Sequence, residues 1–259
     1  MSETYLKSLF GLQDRTALVT GSGGGIGREI AYTLGMAGAQ VVINDLSLER
    51  CQTVAAEFQQ AGIKTKIAAF DVSDRAAVTE AKQRLLRDQW EVDILVCNAG
   101  NQNRKAFLEM QPEDWQSLMD VHVMGTLNCS QIFLQRMASR GYGRIIMMSS
   151  VSAVATMPNI AAYSTAKASM AALARAIAVE HGSSGVTANA IAPGFVRTDF
   201  TVGLQQREGF ERYLQESVPC ARWAVPQDIA PAVLYLASPG GSFVNGQLLA
   251  IDGGLLARL

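Results

Sequence analysis

Nothing in this chain suggests a device for membranes, nucleic acids, metals or disulfides, and each absence removes a class of function. The longest apolar runs, 168–174 and 229–237, fall short of the ~20 residues that a spanning helix needs. The first fifteen residues, MSETYLKSLFGLQDR, contain no long apolar stretch of the secretory kind, so a cytoplasmic protein is expected. A formal net charge of −1 leaves no excess of one sign to hold a polyanion or an anionic lipid surface. The four cysteines, Cys51, Cys97, Cys129 and Cys220, form no CxxC pair, which excludes a disulfide framework and a cysteine-based metal site. No linker, repeat or low-complexity tract divides the sequence, so one domain over 1–259 is expected.

What the chain does have is apolar residues, 49% of the total against 17% charged, enough for a large packed core. Strand-like segments stand at 16–19, 40–44, 64–70, 93–97, 144–148, 187–191 and 247–251, most of them nearly continuous hydrophobic runs that suit parallel strands covered on both faces. Amphipathic stretches at 27–37, 48–61, 75–89, 112–139, 161–181 and 226–237 separate them, with Pro112 and Pro226 at first helical positions. This alternation predicts an α/β fold, a Rossmann-like doubly wound parallel sheet of about seven strands with helices on both faces. Ligands of such sheets bind at the carboxyl ends of the strands. The long irregular segment 194–218, with a helical patch around 205–215, therefore reads as a substrate lid.

A glycine-rich turn, Thr20-Gly21-Ser22-Gly23-Gly24-Gly25-Ile26-Gly27, follows the first strand and opens a helix. Its spacing is TGxxxGxG rather than GxGxxG, but it serves the same need, close backbone approach to a pyrophosphate at a helix N-terminus. Eighteen residues beyond Gly27 stands Asp45, followed by Leu46. A carboxylate there either shapes a turn or accepts hydrogen bonds from ribose hydroxyls and repels a 2′-phosphate. No arginine lies in Ser22–Gly24 or directly after Asp45, which favours NAD over NADP.

Tyr163 and Lys167 are four residues apart in YSTAK, and Ser150 precedes the tyrosine by thirteen. On a helix the two share one face. A free phenol has a pKa of roughly 10, and a neighbouring ammonium lowers it towards useful acid–base range. The pair alone recurs by chance; its company gives it meaning. In order the chain carries TGSGGGIG, Asp45, Asp71-Val72, Asn98-Ala99-Gly100, Ser150, YSTAK and Pro193-Gly194. With these markers it resembles the short-chain dehydrogenase/reductase family over its whole length.

That resemblance implies hydride transfer between a nicotinamide cofactor and an alcohol or carbonyl, and a homotetramer. It implies that Ser150 holds the substrate oxygen, Tyr163 moves the proton, and Lys167 binds the nicotinamide ribose and lowers the tyrosine's pKa. Gly21, Ser22, Gly23, Gly25, Ile26 and Gly27 would cradle the cofactor, with Asp45 and Leu46 at its ribose and Asp71 and Val72 at its adenine. Asn98, Ala99 and Gly100 would line the adenosine ribose region, while Pro193, Gly194, Val196 and Thr198 would orient the carboxamide.

One position departs from the family pattern. Where members commonly carry Asn in a V-N-x-x-G segment, this chain reads Val121-His122-Val123-Met124-Gly125. Either His122 joins a proton relay, or a main-chain carbonyl holds the relay water and the ring fills space. Asn101-Gln102-Asn103-Arg104-Lys105, Arg222-Trp223 and Phe243-Val244-Asn245-Gly246 narrow the resemblance to sugar-acid members acting on gluconate or 5-ketogluconate. Arg104 then either clamps a substrate carboxylate or is a solvated loop cation. Two other readings stay open: a 3-oxoacyl thioester reductase, which would favour NADP and a basic docking face, and a non-catalytic nicotinamide sensor. The apolar surface of 112–139 and 161–181 exceeds what one sheet face needs, as an oligomer interface would.

Overall fold

The computed structural model describes residues 3–258; residues 1, 2 and 259, at the ends of the expected 1–259 unit, lie outside the described residues. A helix not foreseen in the sequence, α1 (Glu3–Phe10), precedes strand β1 (Thr16–Val19). Then follow α2 (Gly25–Met36), β2 (Gln40–Ile43), α3 (Leu48–Gln60), β3 (Thr65–Ile67), α4 (Arg75–Arg87) and β4 (Ile94–Cys97). The second half runs α5 (Pro112–Met119), α6 (Gly125–Arg140), β5 (Gly143–Met148), α7 (Ala161–His181) and β6 (Val186–Pro193). Short helices α8 (Val202–Gln205) and α9 (Phe210–Ser217) lead to α10 (Pro226–Ala237) and β7 (Leu248–Ile251).

The seven strands form one parallel sheet in the order β3-β2-β1-β4-β5-β6-β7. Alternation along each strand divides the core into two layers. Val19, Ile43, Ile146 and Met148 pack with α2, α3 and α10 on one face. Leu18, Val42, Ile145 and Met147 pack with α4, α6 and α7 on the other. Such buried side chains contribute about 1.5–3 kcal/mol each. Helix starts follow local chemistry: Ser47 accepts from the Arg50 amide, Asp74 accepts from those of Ala76 and Ala77, and Pro112 and Pro226 open α5 and α10.

Two expectations need correction. The helix expected over 112–139 is broken by a π-helical turn, Asp120–Met124, between α5 and α6. The patch expected at 205–215 is two helices separated at 206–209, where Gly209 takes φ +74°. The chain winds outward from β1 to β3, then restarts at β4 on the other side of β1. The reversal between β1 and β4 opens a crevice at the strands' carboxyl ends, and the site forms there.

Candidate active site

A cleft of about 350 Å³ opens over these strand ends. Its floor is the turn after β1. Gly21 has φ +65° and faces the β4 exit so closely that a Cβ would come within 2.9 Å of Ala99 Cα. A Cβ on Gly27 would meet Gly21 O at 2.3 Å and Asn98 Nδ2 at 2.4 Å, whereas one on Gly24 would meet nothing within 4 Å. The glycines thus serve packing on one side and leave open space on the other. Gly24 caps α2 with no side-chain hydrogen bond, and no acidic residue stands in the first turn. The leading amides and the dipole of α2 therefore remain available to a pyrophosphate, which is the fit a dinucleotide requires.

The two loops at the crevice are tied together. Asn98 Nδ2 donates to Thr20 O at 2.9 Å and Gly21 O at 3.1 Å, while Thr20 Oγ1 accepts from the amides of Asn98 and Ala99 at 2.9 and 3.0 Å. Asn44, at the end of β2, accepts from Gly21 N and donates to Ala68 O and Phe70 O. Asp45 follows. It accepts from Ser47 N at 3.0 Å, so it shapes the local turn, and it also reaches the cleft, where Oδ2 lies 2.5 Å from the place of a Cβ on Gly23. Sequence reading missed its neighbour: Arg50, from the first turn of α3, lines the cleft beside Asp45. An i+5 offset from Asp45 does not by itself announce that contact.

Ser150, Tyr163 and Lys167 stand together on the opposite wall. Ser150 begins a 3-10 turn, Val151–Ala153, and accepts from Ser152 N at 3.1 Å. Tyr163 and Lys167 occupy successive turns of α7, with the ammonium 5.5 Å from the phenol ring centroid. The Lys167 ammonium donates to Met148 O at 2.7 Å, and burial pushes its pKa down to about 7. Burial also raises the Tyr163 pKa; hydrogen bonding with Ser150 and the charge of Arg104 pull it back only in part. This corrects the expectation from spacing alone, that Lys167 brings the phenol below its ordinary value. Desolvation outweighs the cations here, and Arg104 is the cation that acts on the phenol.

Arg104 lines the cleft, its Nε donating to Gln102 Oε1 at 3.3 Å, and burial with the nearby charge of Arg207 lowers its pKa. Lys105 is turned away onto Asp114 at 2.5 Å. Arg222 is held by Asp228 through two bonds of 2.7 and 2.8 Å. His122 is 2% exposed and lines the same wall, its ring 5.6 Å from that of Tyr163 at 84°.

Of the other sequence-derived positions, Gly25, Ile26, Gly100, Pro193, Gly194, Val196 and Thr198 also line the cleft. Ser22 is buried behind it against Asn44, Leu46 is 74% exposed beside it, and Asp71 binds Ser73. Val72 packs beneath α6, where a Cβ on Gly125 would come within 2.6 Å of its Cγ2. Gln102, from the segment noted after Gly100, lines the cleft with Met157, and so do Phe200 and Leu204, which sequence reading covered only as part of segment 194–218. Gln102 Nε2 donates to Phe200 O, joining the β4 loop to segment 194–218.

Known proteins resemble this chain in sequence and in fold. A family model described as enoyl-(acyl carrier protein) reductase matches residues 21–256. The 5-keto-D-gluconate 5-reductase of Escherichia coli (strain K12) is 34% identical over 254 residues, 98% of this chain and 100% of that protein. Gluconate 5-dehydrogenase of Gluconobacter oxydans (strain 621H) is 36% identical over 251 residues, 97% of this chain and 98% of the relative. Among solved structures, a gluconate 5-dehydrogenase from Burkholderia cenocepacia J2315 in complex with NADP and tartrate superposes with a TM-score of 0.95 at 36% identity, covering 98% of this chain and 100% of that one. No described helix is long and apolar enough to cross a membrane.

Proposed function

This chain belongs to the short-chain dehydrogenase/reductase family, and on that premise we propose that it is a nicotinamide-dependent oxidoreductase of sugar acids, interconverting gluconate and 5-ketogluconate. The observation that carries this reading is a proton-transfer set, Ser150, Tyr163 and Lys167, sharing one cleft with the guanidinium of Arg104. Arg104 takes the substrate's carboxylate; Ser150 holds the reacting oxygen by a hydrogen bond. A bound nicotinamide supplies or takes the electron pair as hydride. Tyr163 Oη moves the proton. Its raised pKa keeps the phenol protonated at neutral pH, the form that gives a proton to a ketone oxygen in reduction. In oxidation the phenolate takes the hydroxyl proton, helped by the adjacent charge of Arg104. Lys167, anchored on Met148 O, would hold the ribose of the nicotinamide.

For the cofactor we favour NAD, because Asp45 sets a carboxylate where a 2′-phosphate would lie. Arg50 beside it tempers that preference, and the relative from Burkholderia is described with NADP. A thioester reductase is less well supported, since Arg104, beside the proton-transfer set, suits a small carboxylate. We read 1–259 as one catalytic unit, working in the cytoplasm as a homotetramer, with 194–218 closing over the substrate. The central test is Tyr163→Phe. Turnover of 5-ketogluconate should fall at least a thousandfold while the dissociation constant for the cofactor stays within about threefold. Equal loss of both would remove the tyrosine from the chemistry.

A further inference from the structure

His122 lines the cleft beside Tyr163, yet the proton transfer above gives it no task. The π-helical turn Asp120–Met124 carries the ring inward, and its Nε2 lies 2.8 Å from Asn101 O. A carbonyl only accepts, so Nε2 carries the hydrogen. Burial and the neighbouring charge of Lys167 on α7 push the imidazole pKa down to about 3, so the ring is neutral at working pH. A neutral ring whose hydrogen points at an amide carbonyl is a dead end for a proton relay, because that carbonyl does not take the proton onward.

The surroundings show what the ring does instead. It stands edge-on to Tyr163, and it enters only because residue 100 is glycine: a Cβ there would approach His122 Cε1 to 2.4 Å. The carbonyl it holds is at the root of a segment whose next side chains are committed. Gln102 reaches Phe200 O, Asn103 Nδ2 donates to Asp114 at 2.8 Å, and Arg104 faces the cleft. We propose that His122 is a positioning residue: wedged against Tyr163, it donates from Nε2 to the Asn101 carbonyl and so fixes the segment that presents Arg104 to the substrate. This rests on the sugar-acid reading in one respect, that Arg104 meets the substrate's carboxylate.

Two variants of the full-length protein separate the donor from the ring. His122→Phe keeps an aromatic ring and removes the donor; His122→Gln places an amide nitrogen near Nε2. Leaving the half-buried Asn101 carbonyl without its donor should raise KM for 5-ketogluconate about tenfold in His122→Phe, with kcat within about threefold and cofactor affinity unchanged. His122→Gln should restore KM to within about threefold of the parent. Amide exchange over 101–105 should quicken in the Phe variant and return to the parent rate in the Gln variant. The chain has two histidines, so a 15N-histidine spectrum compared with that of His181→Gln reports His122 directly. It should show hydrogen on Nε2 and no titration between pH 5 and 8.

Loss of kcat with a shifted pH–rate profile and unchanged KM would overturn the proposal in favour of a relay. So would hydrogen on Nδ1, or exchange over 101–105 unaltered in the Phe variant. Should His122→Phe fail to fold, the spectrum of the parent protein and the Gln variant still decide. If the parent turned over no sugar acid, the functional reading would fall, while exchange and the spectrum would still judge the brace.

Discussion

At the scale of single residues the adenosine end of the cleft sets two opposite charges side by side. Asp45 Oδ2 packs on the bare Cα of Gly23, and the stem of Arg50 lies against the same glycine. The carboxylate suits ribose hydroxyls and opposes a 2′-phosphate, whereas the guanidinium suits the phosphate. If Asp45 dominates, as proposed, Asp45→Ser should raise the ratio of kcat/KM for NADP over NAD at least tenfold, about 1.4 kcal/mol. Arg50→Ala should move that ratio the other way. Initial rates with both cofactors check this, and an unchanged ratio in Asp45→Ser would remove the carboxylate from cofactor choice. Asp45 was legible in the sequence because a strand end after a glycine turn fixes where the carboxylate stands. Arg50 was not, since its reach depends on how α3 leaves β2. The ionisation of Tyr163 was illegible for a related reason: spacing reports neighbours along one helix, but burial and the cation of Arg104 come from elsewhere in the fold.

At the scale of elements, the central strands β1, β4 and β5 were easy to read because both faces are covered and the runs are largely apolar. The bounds erred where pairing ends early, as at β3, expected over 64–70 and paired only at Thr65–Ile67. The π-helical turn was hidden because the residues around His122 fit an ordinary α-helical pattern; one extra residue in a turn leaves no mark in composition. Segment 194–218 was read as irregular, yet its residues build a small core with Trp223, against which Met157 and Leu255 also pack. Phe210, Leu214, Val218 and Trp223 are buried together with Leu204, apart from the two layers flanking the sheet, and Trp223 Nε1 donates to Glu211 at 2.9 Å. A segment with a separate core can open without unfolding the sheet. Phe210→Ala removes a ring that stands edge-on to Phe195 and tilted against Trp223. Such truncations cost about 3–5 kcal/mol. Amide exchange across 202–217 should therefore quicken at least a hundredfold, while β1 and β4 to β6 keep their protection. Uniform acceleration over the whole chain would mean that the segment is no independent lid.

At the scale of the whole molecule, the sheet is unequally finished. Strands β1, β4, β5 and β6 are buried throughout, but β7 is an edge strand with Ala250 exposed and its other residues half-buried. Phe243, just before it, is fully exposed, as is most of Val179 near the end of α7. An apolar edge of this kind invites pairing with another chain unless it is covered, and a second copy is the economical cover in the tetramer proposed above. A two-fold contact uses the same patch on both subunits, so each substitution acts twice across an interface. Burying one phenylalanine contributes about 1.5–3 kcal/mol, hence about 3–6 kcal/mol per interface and at least a hundredfold in its dissociation constant. Phe243→Asp removes that burial and sets two carboxylates against each other. The parent protein should sediment near four times its 27.8 kDa mass, and the variant as a smaller species whose helix content is unchanged. A parent that sediments as a monomer, or a variant that stays fully assembled, would leave β7 as an ordinary exposed edge and take Phe243 out of the interface.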